Sequence, residues 1–130
     1  MRLFRLMKVD ADGKPRVGDR AMALGVRPAD PTNPAKRSDV FAATDTEPVR
    51  PFEGGLSCYA DPADIALAAK QLQLWSIDER DVPPELLVRL TGPGSHHHIE
   101  PGDEMPLAEF QELLADTRDF WQPEKQGGRP

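Results

Sequence analysis

An α+β domain is the fold this chain predicts, and three observations predict it. Four short apolar runs, at residues 3–9, 56–59, 85–90 and 96–100, have strand length and are separated by turn-forming residues. Two stretches, after Asp61 and after Pro106, place apolar residues at helical spacing behind helix-start residues. A chain of 130 residues with 38% hydrophobic content is long enough for one core, burying roughly two thirds of the unfolded surface without disulfides. One domain over residues 1–122 is expected, with a flexible tail at 123–130.

Composition removes several classes. A single cysteine, Cys58, allows no intramolecular disulfide and fits a reducing compartment, where it reads as a packed small side chain. No apolar run approaches the ~20 residues that span a bilayer, and the N-terminus lacks a signal-peptide pattern. A soluble cytoplasmic protein without a membrane role is expected, and any export would use a route without a cleaved signal. The net charge of −6 is uneven. Residues 1–50 hold ten Lys and Arg against seven Asp and Glu, while the remainder holds six against fifteen. The basic first part can attract an anionic ligand such as a dinucleotide; the acidic whole argues against general nucleic-acid binding.

In chain order, Leu3–Val9 reads as a central strand, apolar on both faces. Arg5 shares a face with Leu3, Met7 and Val9. A guanidinium there needs several carbonyls, a structural carboxylate partner or a ligand phosphate to offset its desolvation. Asp10–Gly13 supplies a turn. Residues 14–55 contain six of the fourteen prolines and no sustained period. A short helix at Asp19–Leu24 and a short strand at Val40–Ala43 are the expected elements in a segment otherwise of loop. Gly54 and Gly55 allow a close backbone approach, and the following strand points Ser57 and Tyr59 the same way. Asp61, Pro62 and Asp64 start a helix whose stripe is Ile65, Ala68, Ala69, Leu72 and Trp75. Residues 76–84 read as a polar connection, and Glu85–Leu90 as a strand. Pro106 opens the last helix, with Leu107, Phe110, Leu113, Leu114 and Trp121, and Phe120 beside them, as its buried face.

Between these elements lies His96–Pro101. Strand alternation sends His96, His98 and Glu100 to one side and His97 and Ile99 to the other. Two imidazoles and a carboxylate on one face make either a polar site or a solvated edge. The spacings do not match a zinc site.

The series Val82-Pro83-Pro84-Glu85-Leu86, His96-His97-His98-Ile99-Glu100-Pro101, Met105, Phe110-Gln111, Leu114 and Thr117-Arg118 resembles the C-terminal half of the ADP-ribosyltransferase-like cytotoxic effectors exported by type VI secretion systems. Gly54-Gly55-Leu56-Ser57-Cys58-Tyr59 resembles their Gly-Gly-x-Ser-x-aromatic strand, and Leu3-Phe4-Arg5 their opening strand. The resemblance runs in order over nearly the whole chain. It implies an ADP-ribosyltransferase-like core of two small β-sheets around an NAD cleft, with flanking helices. It also implies roles: Arg5 on the NAD phosphates or ribose, Ser57 at the nicotinamide ribose and His96 as the matching residue of the third strand, Ser57 and His96 being catalytic. On the His96 face Glu100 is the candidate catalytic carboxylate for the sugar, and Gly55, Tyr59 and His98 are the further candidates to bind the cofactor NAD. Two histidines follow His96 where the compared toxin has an aromatic and a small hydroxyl residue, so which histidine faces the cleft stays open, as does stacking against core packing for Tyr59.

The function implied is that of a bacterial toxin, an NAD-dependent ADP-ribosyltransferase modifying an intracellular macromolecular target, with a cognate immunity protein in the producer. The alternative is a non-enzymatic toxin or regulatory module that binds a nucleotide or partner protein through the same cleft.

Overall fold

The computed structural model describes residues 1–65 and 72–125. Its elements are β1 (Arg2–Met7), β2 (Pro48–Val49), β3 (Leu56–Tyr59), β4 (Gln73–Asp78), β5 (Leu86–Leu90), β6 (His96–Pro101), β7 (Met105–Pro106), α1 (Leu107–Ala115) and β8 (Gln122–Pro123). Six strands join in one antiparallel sheet in the order β5-β6-β3-β1-β4-β8, and β2 pairs with β7 apart from it. The architecture is therefore mixed α+β, mostly antiparallel sheet with one α-helix among the described residues. In place of two small sheets around a cleft, one six-stranded sheet carries most of the pairing.

β1 is central because its side chains bury on both faces: Leu3, Leu6 and Met7 are all in the core. β4 pairs with it over all six positions, from Arg2↔Asp78 to Met7↔Gln73, and adds Trp75 and Ile77. Fully burying each such side chain contributes about 1.5–3 kcal/mol. α1 buries Leu107, Phe110 and Leu114 in the same core. Cys58 lies there too, and burial pushes its thiol up to about 12, which leaves it protonated and inert.

Several expectations are corrected. β1 stops at Met7, and Val9 is exposed, in an isolated bridge with Pro15. Asp19–Leu24 forms turns rather than a helix, and Val40–Ala43 forms no strand, although Val40 and Ala42 are buried. Asp61 caps as expected, accepting from Ala63 N–H at 2.9 Å, but the turn it opens is a 3-10 turn over Pro62–Asp64 that gives way at Ile65 to extended backbone. The continuation of that helix through Ala68 and Ala69 falls outside the described residues. Trp75 is not on its stripe; it lies within β4, and Ser76–Asp78 are strand rather than connection. The last helix ends at Ala115, so Trp121 packs from a following segment, its Nε1–H donating to Thr117 Oγ1 at 2.9 Å, and Phe120 is exposed. The expected tail is not free at its start: Pro123 joins Gln122 in an edge strand on β4, and Ser76 donates to Glu124 Oε2 at 2.9 Å.

The proline-rich segment is held by side chains instead of a ladder. The Arg27 guanidinium grips Asp39 with two nitrogens, at 2.9 and 3.0 Å, while Arg27 N–H donates to the same carboxylate at 2.8 Å. Gln111 of α1 bonds both the N–H and the carbonyl of Val26. This explains how a segment without regular elements stays packed: its polar backbone is satisfied by named side chains.

Candidate functional site

β1 and β3 share one paired position, Phe4↔Tyr59. Where the next pair would fall, the Arg5 guanidinium donates to the Ser57 carbonyl at 2.8 Å, and its other terminal nitrogen donates to the Ala23 carbonyl at 2.8 Å. A cavity of about 360 Å³ lies at this opening. Arg5, Ser57 and Tyr59 line it together with Arg27, Arg37 and Asp39.

Arg5 leaves the strand by alternation on the side of Leu3 and Met7, and two carbonyls, with no carboxylate partner among the described residues, offset its desolvation. Burial lowers its pKa from the ordinary guanidinium value, and the nearby Asp39 charge works in the opposite sense. The guanidinium keeps its charge at neutral pH, since its starting value is so high. Arg5 Nε is buried and has no hydrogen-bond partner among the described residues. A cation with a buried, unmet donor is a place where an anionic acceptor gains most.

Register settles which histidines share the Ser57 face. Ser57 pairs with His98 and Tyr59 with His96, so these four side chains lie on one side of the sheet. His97 lies on the other, buried, its Nδ1 bonded to the Ser95 carbonyl at 2.7 Å. The rings form a chain: Tyr59 to His96 and His96 to His98 are both edge contacts with centroids 5.0 Å apart. Tyr59 is half-buried and outside the core: its ring packs on His96 and lines the cavity. Thr91 Oγ1 meets His96 Nδ1 and also bonds the His96 carbonyl at 3.2 Å. The hydroxyl has one proton, so donation to that carbonyl leaves Nδ1–H as the donor to Oγ1 and the lone pair on Nε2.

Burial lowers the His96 pKa, helped by the charges of His98 and His97. The unfolded chain takes up that proton near 6.5, the folded chain only at lower pH. Stability is therefore lost as pH falls from about 6.5 through the folded value, because the unfolded state binds more protons there. Urea midpoints should fall from about pH 7.5 to about pH 5, and His96→Gln should flatten part of that slope. An unchanged slope in the variant would assign the decline elsewhere.

Glu100 is fully buried and completely engaged. Arg89 grips it through two nitrogens at 3.1 and 2.7 Å, Phe52 N–H donates to it at 2.9 Å, and His98 Nδ1 lies 3.3 Å away. Its side chain sits beneath a second cavity of about 360 Å³ whose lining includes Asp39, Phe52, Arg89, Thr91 and His98. Glu100 is itself absent from that lining, and Phe52, Arg89 and His98, which hold it, stand between it and the cavity. The close approach that Gly55 permits is to β6: a Cβ there would overlap the Ile99 carbonyl oxygen, and one on Gly54 the Asp39 carbonyl oxygen.

Arg27, Arg37, Asp39 and Arg89 were not singled out in the sequence. The basic excess of residues 1–50 pointed toward the first two, and Arg89, at strand spacing from Leu87, pairs directly with His98. The described residues include no helix long and apolar enough to cross a membrane. Compared with family models, with curated proteins and with solved structures, the chain matches none, and what identifies the site is Arg5, Ser57 and Tyr59 on one cavity with His96 and His98 beside them.

Proposed function

We propose that the cavity at the β1–β3 opening binds NAD, and that the protein is an NAD-dependent ADP-ribosyltransferase acting as a cytotoxic effector inside bacteria. The observation that carries this is the convergence of Arg5, Ser57 and Tyr59, from two strands, on one cavity where the sheet parts. The unpartnered Arg5 Nε, with Arg27 and Arg37 on the same walls, fits a pyrophosphate. In this reading the single-position joint divides the sheet into two halves around an ADP-ribosyltransferase-like cleft.

Bound NAD would supply a glycosidic bond whose cleavage leaves the electron pair on neutral nicotinamide and positive character on the ribose. The protein's part is positioning and electrostatics. Arg5 and Arg37 hold phosphate oxygens, the Ser57 hydroxyl bonds a ribose hydroxyl, and Tyr59 presents its ring to the nicotinamide. His98, with Nδ1–H directed to Glu100, keeps its Nε2 lone pair to take the proton of an acceptor nucleophile. Glu100 stabilises the imidazolium so formed. A toxin of this kind needs an immunity protein in its producer, and the acidic second half offers that partner a surface.

A nucleotide-binding module without turnover is favoured by one observation. Among the described residues lining the cavity, the carboxylate is Asp39, and Arg27 already occupies both its oxygens. Two assays separate the readings: growth of a bacterium expressing the gene from a tight promoter, and nicotinamide release by purified protein supplied with bacterial lysate as the source of acceptor. Arrest and release by wild type, both lost in Ser57→Ala at equal protein level, are the expected result. Arrest without release would favour the binding module, and neither would sink the proposal.

A further inference from the structure

We infer that the cavity continues into an annex for a second phosphate group, so that the ligand is a dinucleotide bearing an added phosphate monoester, such as the 2′-phosphate of NADP. This rests on the dinucleotide-binding proposal above. Beside the first cavity lies another of about 490 Å³, and the two share Ala21, Arg27 and Arg37 as a common wall. The annex adds Arg20 and Lys36, giving four cations against Asp19 as its acid. In a chain of net charge −6 that concentration runs against the composition.

The cations differ in their commitments. Arg27 is held by Asp39. The side chains of Arg20, Lys36 and Arg37 make no hydrogen bond or ion pair with another described residue. They come from two separate loops, and those loops are fixed to the rest: Lys8 N–H donates to the Met22 carbonyl at 2.8 Å, Asp39 N–H to the Arg27 carbonyl at 2.9 Å and Ala29 N–H to the Ala42 carbonyl at 2.8 Å. Like charges gathered from two anchored loops repel unless an anion lies between them.

A pyrophosphate uses Arg5 and Arg37 and leaves Arg20 and Lys36 unmatched. A phosphate monoester brings close to two further negative charges at neutral pH and three acceptor oxygens. An arginine near the adenosine ribose is the usual way a dinucleotide site accommodates a 2′-phosphate. One cavity is also near the small end of ligand pockets, which run from about 300 to about 1,000 Å³, whereas the pair offers room for a whole dinucleotide.

The test is titration calorimetry of the full chain with NAD and with NADP, for wild type and for Arg20→Ala combined with Lys36→Ala. NADP should bind wild type at least about tenfold tighter, and the double variant should bring the two ligands to equal affinity. Folding should not confuse the result, because both side chains are exposed and make no hydrogen bond with a described residue, Lys36 acting only at a distance on Asp30; melting curves check it. Equal binding of the two ligands by wild type overturns the annex and keeps the NAD proposal. A preference that survives in the double variant also overturns it. Binding of neither ligand removes both.

Discussion

Arg5→Lys should cut nicotinamide release by about 100-fold and relieve growth arrest while the protein stays folded. Two guanidinium nitrogens already hold the carbonyls of Ser57 and Ala23, each at 2.8 Å, and the third is the unmet donor. Lysine keeps the charge but concentrates it on one nitrogen that cannot span both carbonyls and still meet a phosphate. Losing that fork should lower kcat/KM on the order of 100-fold, about 3 kcal/mol of transition-state stabilisation. The fold should lose only about 1 kcal/mol, the net worth of a hydrogen bond. Arg5→Ala is the poorer probe because it leaves both carbonyls without the donors that bind them. Near wild-type turnover in a folded Arg5→Lys variant would remove Arg5 from the site.

Glu100→Ala should be among the most destabilising polar substitutions in the sheet. It removes a fully buried carboxylate and leaves the Arg89 guanidinium, the Phe52 N–H and His98 without the group that gathers them. Breaking a buried pair by removing one partner costs about 3 kcal/mol when part of the partner reaches solvent, as Arg89 does. For a chain of this length that is roughly a 10 °C fall in Tm. Phe52 adds to the cost: it sits at φ +68°, a conformation rare for a side chain of its size, and its N–H bond to Glu100 helps hold it there. Thermal melts settle the matter, and a loss below about 1 kcal/mol would mean that solvent replaces the carboxylate without difficulty.

The strands that carry the site were legible because their signals are local. Leu56–Tyr59 alternates cleanly, and the histidine face of β6 follows from counting by two. β4 was missed for a physical reason: Trp75 falls at helical spacing from Ile65 and Leu72, and a strand buried on both faces shows no alternation to contradict that. Arg27 and Asp39 lie twelve residues apart in a segment of prolines, and no local rule pairs them. Arg89 needed the β5–β6 register before it could be set beside His98 and Glu100. Arg5 was recognisable as an anomaly from its apolar neighbours, but whether carbonyls or a carboxylate would meet it depended on where the loop at Ala23 passes.

The Phe4–Tyr59 pairing has a mechanical meaning. Parting β1 from β4 would break six consecutive rungs, whereas parting β1 from β3 breaks one, plus the single bond that Arg5 makes to the Ser57 carbonyl. Thermal breathing of the sheet should concentrate along that seam, where the restoring force is smallest. Arg5 is the stitch across it, so a guest anion that draws the guanidinium toward itself also slackens the seam. Admission of the ligand and the compliance of the sheet are then governed by one side chain.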